Sequence, residues 1–347
     1  MENQDNLVDV EYTELPQVPL KQDPAKAKKK RKGTNEEELI GWAFSIIPLV
    51  GFAIFGLVPL AMSFYVAFNQ FPGLGLVSDY SDDMFPYIVK FVGFGNFGAA
   101  FRDAEFWRSI LNTLFVVFTT VFSLALSVFI SMMLYHCKRG KKLYQTVFFI
   151  PYVCSLVAIT FMWKWVFDNN AGIINSMLWQ LGIYKNQLDV INWIYKSPDS
   201  YRFVMFVVLV WSGTGFNIIL LSAAMTNINK SCYEAAELDG AGMMTKFFKI
   251  TLPAISPTLF YLLVTGVIGA LQEFTRFQVM DGTGGPKNVG VTIVFYLYQR
   301  IMPNNMDGVG HLDIGVATAV GWFLALLIGL VTFANFKISK KWVSYDD

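Results

Sequence analysis

The chain has 347 residues, 54% of them hydrophobic and 16% aromatic, with a formal net charge of +1 and a positive mean hydropathy. That composition excludes an ordinary soluble globular domain and places the protein in a membrane. Its three cysteines, Cys137, Cys154 and Cys232, fall in predicted membrane or cytoplasmic positions and imply no disulfide framework.

Residues 1–40 read as a cytoplasmic tail. Five acidic side chains (Glu2, Asp5, Asp9, Glu11, Glu14) precede the basic block "KAKKKRK" at Lys26 to Lys32. Such a tail is expected to be disordered, with its basic block lying against anionic lipid headgroups; a nucleic-acid partner is not expected. The first apolar run begins near Ile40 and is long enough to span, so no cleavable leader is expected. Thr34 and Glu37 fit a capping box before that run, and Pro48 and Pro59 are expected to kink it.

Residues 41–340 read as a transmembrane domain and 341–347 as a cytoplasmic C-terminal tail. Six stretches have the about 17 to 25 residues that a helix needs to cross a hydrocarbon core. They are Ile46 to Phe68, Thr113 to Tyr135, Thr146 to Phe167, Phe203 to Met225, Ile255 to Leu271 and Ile314 to Phe336. Helices satisfy their own backbone over such lengths, and the alternation of a membrane barrel is absent. The fold class is therefore all-α, a six-helix transmembrane bundle.

The connections sort by charge. Lys and Arg number 17 in the two tails, the Tyr135 to Thr146 turn and the connection after Met225, against 9 in the other, longer loops. Both termini are accordingly predicted to be cytoplasmic. Between the spans, "GFGNFG" at Gly93 to Gly98 matches a dinucleotide fingerprint but lies in a predicted external loop without a βαβ unit, so it carries no such function. "NKS" at Asn229 is a formal glycosylation acceptor on the predicted cytoplasmic side. "HCKRGKK" joins spans two and three as a short basic turn, and Asn169 to Gly182 reads as an amphipathic surface helix. "DGTGGPKN" reads as a tight turn, and "VTIVFYLYQR" after it is too short to cross.

No set of residues resembles a catalytic centre. His136 and His311 fall on opposite predicted faces, no metal site is expected, and no G-x-x-x-x-G-K-[ST] loop offers a route to ATP. Energy for any transport must come from a partner or an ion gradient. The polar connection 227–253, "YEAAELDGAGMMTKFFKITLP" from Tyr233 onward, stands out between two apolar spans. Ser231 and Glu234 fit a capping box, Ala235 and Ala236 favour helix, and Gly240 suits a helix C-terminus. The expected result is a two-turn helix, a turn at Asp239-Gly240, and a second short helix stopping at Pro253. A free two-turn helix is marginal in water and needs a surface to dock on.

That stretch resembles the EAA loop of binding-protein-dependent ABC importer permeases: "EAAELDGA" at Glu234 to Ala241, then, with nine residues between it and Gly240, "ITLP" from Ile250 through Leu252 to Pro253. "FWRSILNTL" at Phe106, "RGKKLYQTVFFIP" at Arg139, "MWKWVFDNNAGIIN" at Met162, "WSGTGFNIILLSAAMTNI" at Trp211 and "GGPKNVGVT" at Gly284 resemble the maltose-type carbohydrate branch. The likeness covers roughly residues 46 to 336. It implies a type I importer fold whose short cytoplasmic helix sits in a cleft of a separate ATPase. Closure of that ATPase on ATP then flips the bundle from inward- to outward-facing. ATP and Mg would belong to the partner ATPase, with no cofactor on this chain. The implied partners are a second permease subunit, two ATP-binding subunits, an extracytoplasmic solute-binding protein and a carbohydrate, di- or oligosaccharide. A heterodimer is expected, and a homodimer stays open. By the same resemblance Glu234 and Asp239 position the loop, Ala235 and Ala236 pack in the cleft, and Gly240 makes the turn.

For the sugar path, polar groups inside spans must be paired or line a cavity. This nominates Ser212, Thr214 and Asn217 in span four and Gln272, Glu273 and Arg276 at the end of span five. Trp163, Trp211 and Trp322 have the flat apolar faces that stack on sugar rings, although interface belts use Trp as well. Glu273 and Arg276, three residues apart, also suit mutual neutralisation. The family often carries an acidic residue where Thr275 or Arg276 stands here. Two other readings remain at this level: an ion-gradient-driven secondary carrier and a non-transporting scaffold.

Overall fold

The computed structural model describes residues 35–70, 90–302 and 313–344, apart from 138, 185, 187 and 188, with backbone alone for 35–38. The acidic and basic tail, the Thr34–Glu37 cap, His311 and residues 345–347 lie outside the described residues. The chain divides at Pro59 into two units, Met1–Pro59 and Leu60–Asp347.

Helix α1 (Asn35–Phe52) is followed by a π-turn at Ala53–Leu57, after which α2 (Val58–Ala67) continues the helix. Pro59 explains the π-turn. Proline brings no N–H to the ladder, and the chain shifts to a wider bond, Val58 N–H to the carbonyl of Ala53. The run Leu39–Ala67 is long and apolar enough to cross a membrane.

In the second unit, a two-residue antiparallel pair joins β1 (Asn69–Gln70) to β2 (Lys90–Phe91), and α3 (Gly95–Arg102) follows. The glycine fingerprint therefore sits beside an antiparallel ribbon, which holds no βαβ unit. Next come α4 (Ala104–His136), α5 (Lys141–Val153), α6 (Leu156–Val166), the surface helix α7 (Ile173–Gln180) and α8 (Pro198–Thr226). After α8 run the short α9 (Lys230–Leu238) and α10 (Met243–Lys246), then α11 (Leu252–Leu271), α12 (Thr275–Met280), α13 (Ile293–Ile301) and α14 (Ile314–Ser339). Among the described residues five helices are long and apolar enough to cross, among them Ala104–His136, Pro198–Thr226, Met243–Leu271 and Ile314–Ser339.

The expected third span is not straight. Its halves, α5 and α6, meet at 101°. Pro151 withholds a donor from the last turn of α5, and Cys154 and Ser155 then adopt extended backbone before α6 begins.

Helices α4 and α8 form the central seam. Lipid tails are as apolar as leucine, so close packing and interhelical hydrogen bonds hold such pairs together. Ser123, Ser127 and Ser131 repeat every four residues, a spacing that puts them on one face of α4. Their hydroxyls reach the α8 carbonyls of Val210, Thr214 and Ile218, each at 3.3 Å. Gly215 lets the α5 backbone in against α8, since a Cβ there would lie 2.1 Å from the Phe148 carbonyl oxygen. One apolar cluster gathers Phe106, Tyr201, Met205, Phe277 and Tyr296, and a second gathers Leu124, Leu221, Met225, Ile255 and Leu262.

Candidate functional site

The polar connection folds from local rules. The α9 cap is Asn229, whose Oδ1 accepts from the Ser231 N–H at 3.0 Å, so the expected Ser231–Glu234 box does not form. Asn caps as well as Ser, and Asn229 is where the backbone is still extended. The formal glycosylation acceptor is thus a helix cap. At the other end, Ala241 N–H reaches the Ala236 carbonyl (2.8 Å) and Gly240 N–H the Glu237 carbonyl (3.0 Å), which together make a Schellman motif. Gly240 holds φ +75°. This left-handed geometry is the one a glycine supplies without strain.

Two contacts fold α9 back onto its neighbours. Lys246 Nζ meets Glu237 Oε1 at 2.7 Å, clasping α9 to α10 across the turn. Tyr233 Oη and Thr251 Oγ1 lie 2.8 Å apart, and the Tyr233 ring leans on Tyr135 at the end of α4. The Lys246 bond holds the Glu237 carboxyl below the usual glutamate range, and burial pushes the Tyr233 phenol up. A groove of about 480 Å³ runs beneath, between Met132 and His136 of α4 and Glu234, Met243 and Phe247 of the loop.

Glu234, Ala235, Asp239 and Gly240 are exposed, and Ala236, Ala241, Ile250, Leu252 and Pro253 half-buried. Leu238 leaves 91% of its surface open, an unusual position for a leucine on a polar helix. The second helix does not stop at Pro253. It passes through a π-turn at Phe247–Thr251 straight into α11, with Leu252 N–H bonded to the Phe247 carbonyl. The offset from π-turn to proline is the one seen at Pro59. As there, the proline brings no N–H, and the wider bond just before it carries the helix past the missing donor.

The second group of nominated residues divides. Ser212, Asn217, Glu273 and Arg276 line one cavity of about 350 Å³ between α4, α8 and α11. Glu273 and Arg276 pair with each other there, and Arg276 Nε finds no acceptor. Ser212 bonds back to the Val208 carbonyl (2.8 Å), leaving its oxygen at the wall. Thr214 instead faces Ser123 in the seam (3.1 Å), Gln272 is exposed at the end of α11, and Trp322 packs edge-on against Phe64. Trp163 and Trp211 meet edge to face at 5.4 Å, outside the cavity lining. The wall also contains Thr120, Ser123, Tyr152, Gly266 and Gly269, which sequence reasoning passed over. The Gly266/Gly269 spacing and the four-residue serine repeat were the available signals.

A family model for the inner membrane component of binding-protein-dependent transport systems matches residues 91–345. The chain is 31% identical over 326 residues to the probable ABC transporter permease protein YesP of Bacillus subtilis, covering 93% of this chain and 97% of that one. It is 28% identical to the lactose transport system permease protein LacF of Rhizobium radiobacter (87% and 94% covered). It is 30% identical to the sn-glycerol-3-phosphate transport system permease protein UgpA of Escherichia coli O157:H7 (76% and 85% covered). In fold it is similar to a chain of a bacterial ABC transporter involved in import of the acidic polysaccharide alginate, with a TM-score of 0.71 at 24% identity, covering 88% of this chain and 96% of that one.

Proposed function

The chain belongs to the family of binding-protein-dependent transport system inner membrane components, and on that premise we propose that it is the translocating subunit of an ATP-driven importer for a carbohydrate. It works with a second permease, two ATPase subunits that hold ATP and Mg, and a solute-binding protein on the outer face. Both termini are then cytoplasmic, with α9 on the ATPase side. A relative named for lactose transport supports a cargo of di- or oligosaccharide size, and one named for sn-glycerol-3-phosphate transport supports a polyhydroxylated cargo in general.

One observation carries the mechanism. The loop that resembles a coupling element is continuous with a wall of the polar cavity. A push on α9 passes through the Schellman turn and the Glu237–Lys246 clasp into α10, and α10 runs unbroken into α11 as Met243–Leu271. The far end of α11 supplies Gly266 and Gly269 to the cavity, with Glu273 just beyond. The loop residues keep the roles drawn from resemblance: Glu234 and Asp239 orient it, Ala235 and Ala236 present a close-packing face, and Gly240 sets the turn. At the cavity, Ser212, Asn217 and the Glu273–Arg276 pair offer hydrogen bonds to sugar hydroxyls. The two side chains are ion-paired with each other, so their charges balance at this wall.

Uptake by the source organism tests the reading. Deleting the chain should abolish uptake of one labelled saccharide, and in the wild type that uptake should fall with ATP depletion while surviving collapse of the proton gradient. Uptake that follows the gradient instead assigns a secondary carrier.

A further inference from the structure

A second cavity, of about 460 Å³, opens where Arg108 and Asn112 of α4, Arg202 of α8 and the Lys287–Asn288 turn converge. Three cationic side chains face it. Among the described residues none of the three forms an ion pair, and Arg202 Nε is buried without an acceptor. Glu105 is the carboxylate tied into this rim, accepting from Asn288 Nδ2 at 2.8 Å, so positive charge prevails by three to one.

Arg202 and the backbone of the turn are tied together through Asn112. Asn112 Nδ2 donates to the carbonyls of Asn288 (2.9 Å) and Val291 (3.0 Å), stitching α4 to the turn, while its Oδ1 accepts from Arg202 at 3.4 Å. Lys287 and Asn288 sit at φ 56° and 60°, a left-handed backbone that non-glycine residues seldom adopt. Strain of this kind persists where surrounding structure over-determines it and concentrates at ligand sites.

Position gives the cavity its meaning. Asn112, Val116, Thr120 and Leu124 follow one another at helical spacing on α4; the first lines this cavity and the other three line the polar one. On α8, Arg202 and Leu209 are seven residues apart, two turns along one face, and divide in the same way. The cationic cavity is thus one helical turn from the polar cavity, about 6 Å along α4, at the end predicted to face outward.

We propose that this cavity is an anion-recognising vestibule that receives the carboxylate of an acidic saccharide before it enters the polar cavity. The inference rests on the transport reading and narrows its substrate class. Arg108 and Arg202 supply planar donor forks suited to carboxylate, Lys287 adds a mobile point charge, and the neighbouring polar wall takes the uncharged hydroxyls. Its size lies within the range of small-molecule sites.

Equilibrium binding of labelled digalacturonate to the purified transporter complex, in phosphatidylcholine nanodiscs without the solute-binding protein, tests it. Its methyl ester serves as the charge-free control. The acid should bind at least about tenfold more tightly than the ester, the worth of one or two charge-assisted hydrogen bonds. Sodium chloride should weaken the acid's binding in the unaltered protein. Arg202→Gln and Arg108→Gln should erase the difference between acid and ester while eluting as the same monodisperse complex. Acid and ester binding alike, no binding of the acid, or insensitivity to salt overturns the proposal. So does equal binding of succinate, which marks an unspecific anion site, or displacement of the probe by phosphatidylglycerol, which marks a lipid site. Co-purification of the ATPase is scored in the same preparation. Its presence with no acid preference removes the vestibule and leaves the importer; acid binding in a chain that never brings an ATPase does the reverse.

Discussion

The α4–α8 seam and the α9–α10 loop are both built from small residues, and they use them in opposite ways. In the seam Ser123, Ser127 and Ser131, and beside it Gly215 at the α5–α8 contact, bring backbones together inside the chain, and their partners are all present. In the loop, Ala235, Asp239 and Gly240 lie exposed, and a Cβ added at Gly240 would meet nothing within 4 Å. Smallness without a neighbour in its own chain fits the proposal that this surface meets another subunit. The seam holds a bundle that already exists, whereas the loop has a stiff internal frame and an unoccupied outer face.

The largest effect is expected beside the seam, where α5 meets α8. Gly215→Ala forces a methyl group against the Phe148 carbonyl, and overpacking of this kind costs about 1 to 3 kcal/mol or more. Thermal unfolding in detergent should show a lowered midpoint and less monodisperse protein; an unchanged midpoint would mean that α5 and α8 do not approach at this glycine.

Gly240→Val should separate the two regions. A non-glycine residue at φ +75° is strained by about 1 to 2 kcal/mol, more when β-branched. With open space around it, the damage stays in the turn: the bundle midpoint should hold while ATP-dependent uptake falls. Gly240→Asn, which tolerates left-handed backbone, should recover part of that uptake. A fall in both midpoint and uptake for Val would erase the distinction.

Within the seam, Ser127→Ala removes a hydroxyl shared between the Ser123 carbonyl (2.6 Å) and the Thr214 carbonyl (3.3 Å) and should cost about 0.6 kcal/mol, the usual worth of an interhelical bond in a membrane. A double-mutant cycle with Ser131→Ala should be close to additive. The smallest effect is the pH response of the loop. The Glu237 carboxyl titrates below its ordinary range because Lys246 bonds its charged form. Depression of the folded-state value means that the clasp contributes above the unfolded value and is lost as pH falls through the folded one. Amide protection factors at 230–246, taken against the intrinsic exchange rate at each pH, should therefore fall at acid pH, and Glu237→Gln should show the lowered protection already at neutral pH.

Much of this was legible. Apolar runs long enough to span were visible because nothing in lipid replaces an unmade backbone bond, and the structure lengthens them at the start of α4 and α8. Bending was not legible from length and composition: Thr146 to Phe167 has enough apolar residues for one span, and Pro151 was the sole hint of the 101° break. Pro253 was read as a stop, yet a π-turn carries the helix through it. Ser231 and Asn229 offered overlapping caps, and local propensity does not choose between them. In the cavity, Ser212, Asn217, Glu273 and Arg276 were readable because polar groups in spans demand partners. Thr120, Gly266 and Gly269 were not, since small residues announce no chemistry until a neighbour's position is known.

The central claim is that the outer face of α9 meets a separate ATPase. A photoreactive phenylalanine analogue at Leu238, exposed over 91% of its surface, tests it most directly, with the same analogue at Leu330 of α14 as the control. Illumination of native membranes should join position 238, and not position 330, to a subunit carrying a phosphate-binding G-x-x-x-x-G-K-[ST] loop, with a yield that changes when ATP is added. Adducts confined to lipid or to the chain itself at position 238 would contradict it.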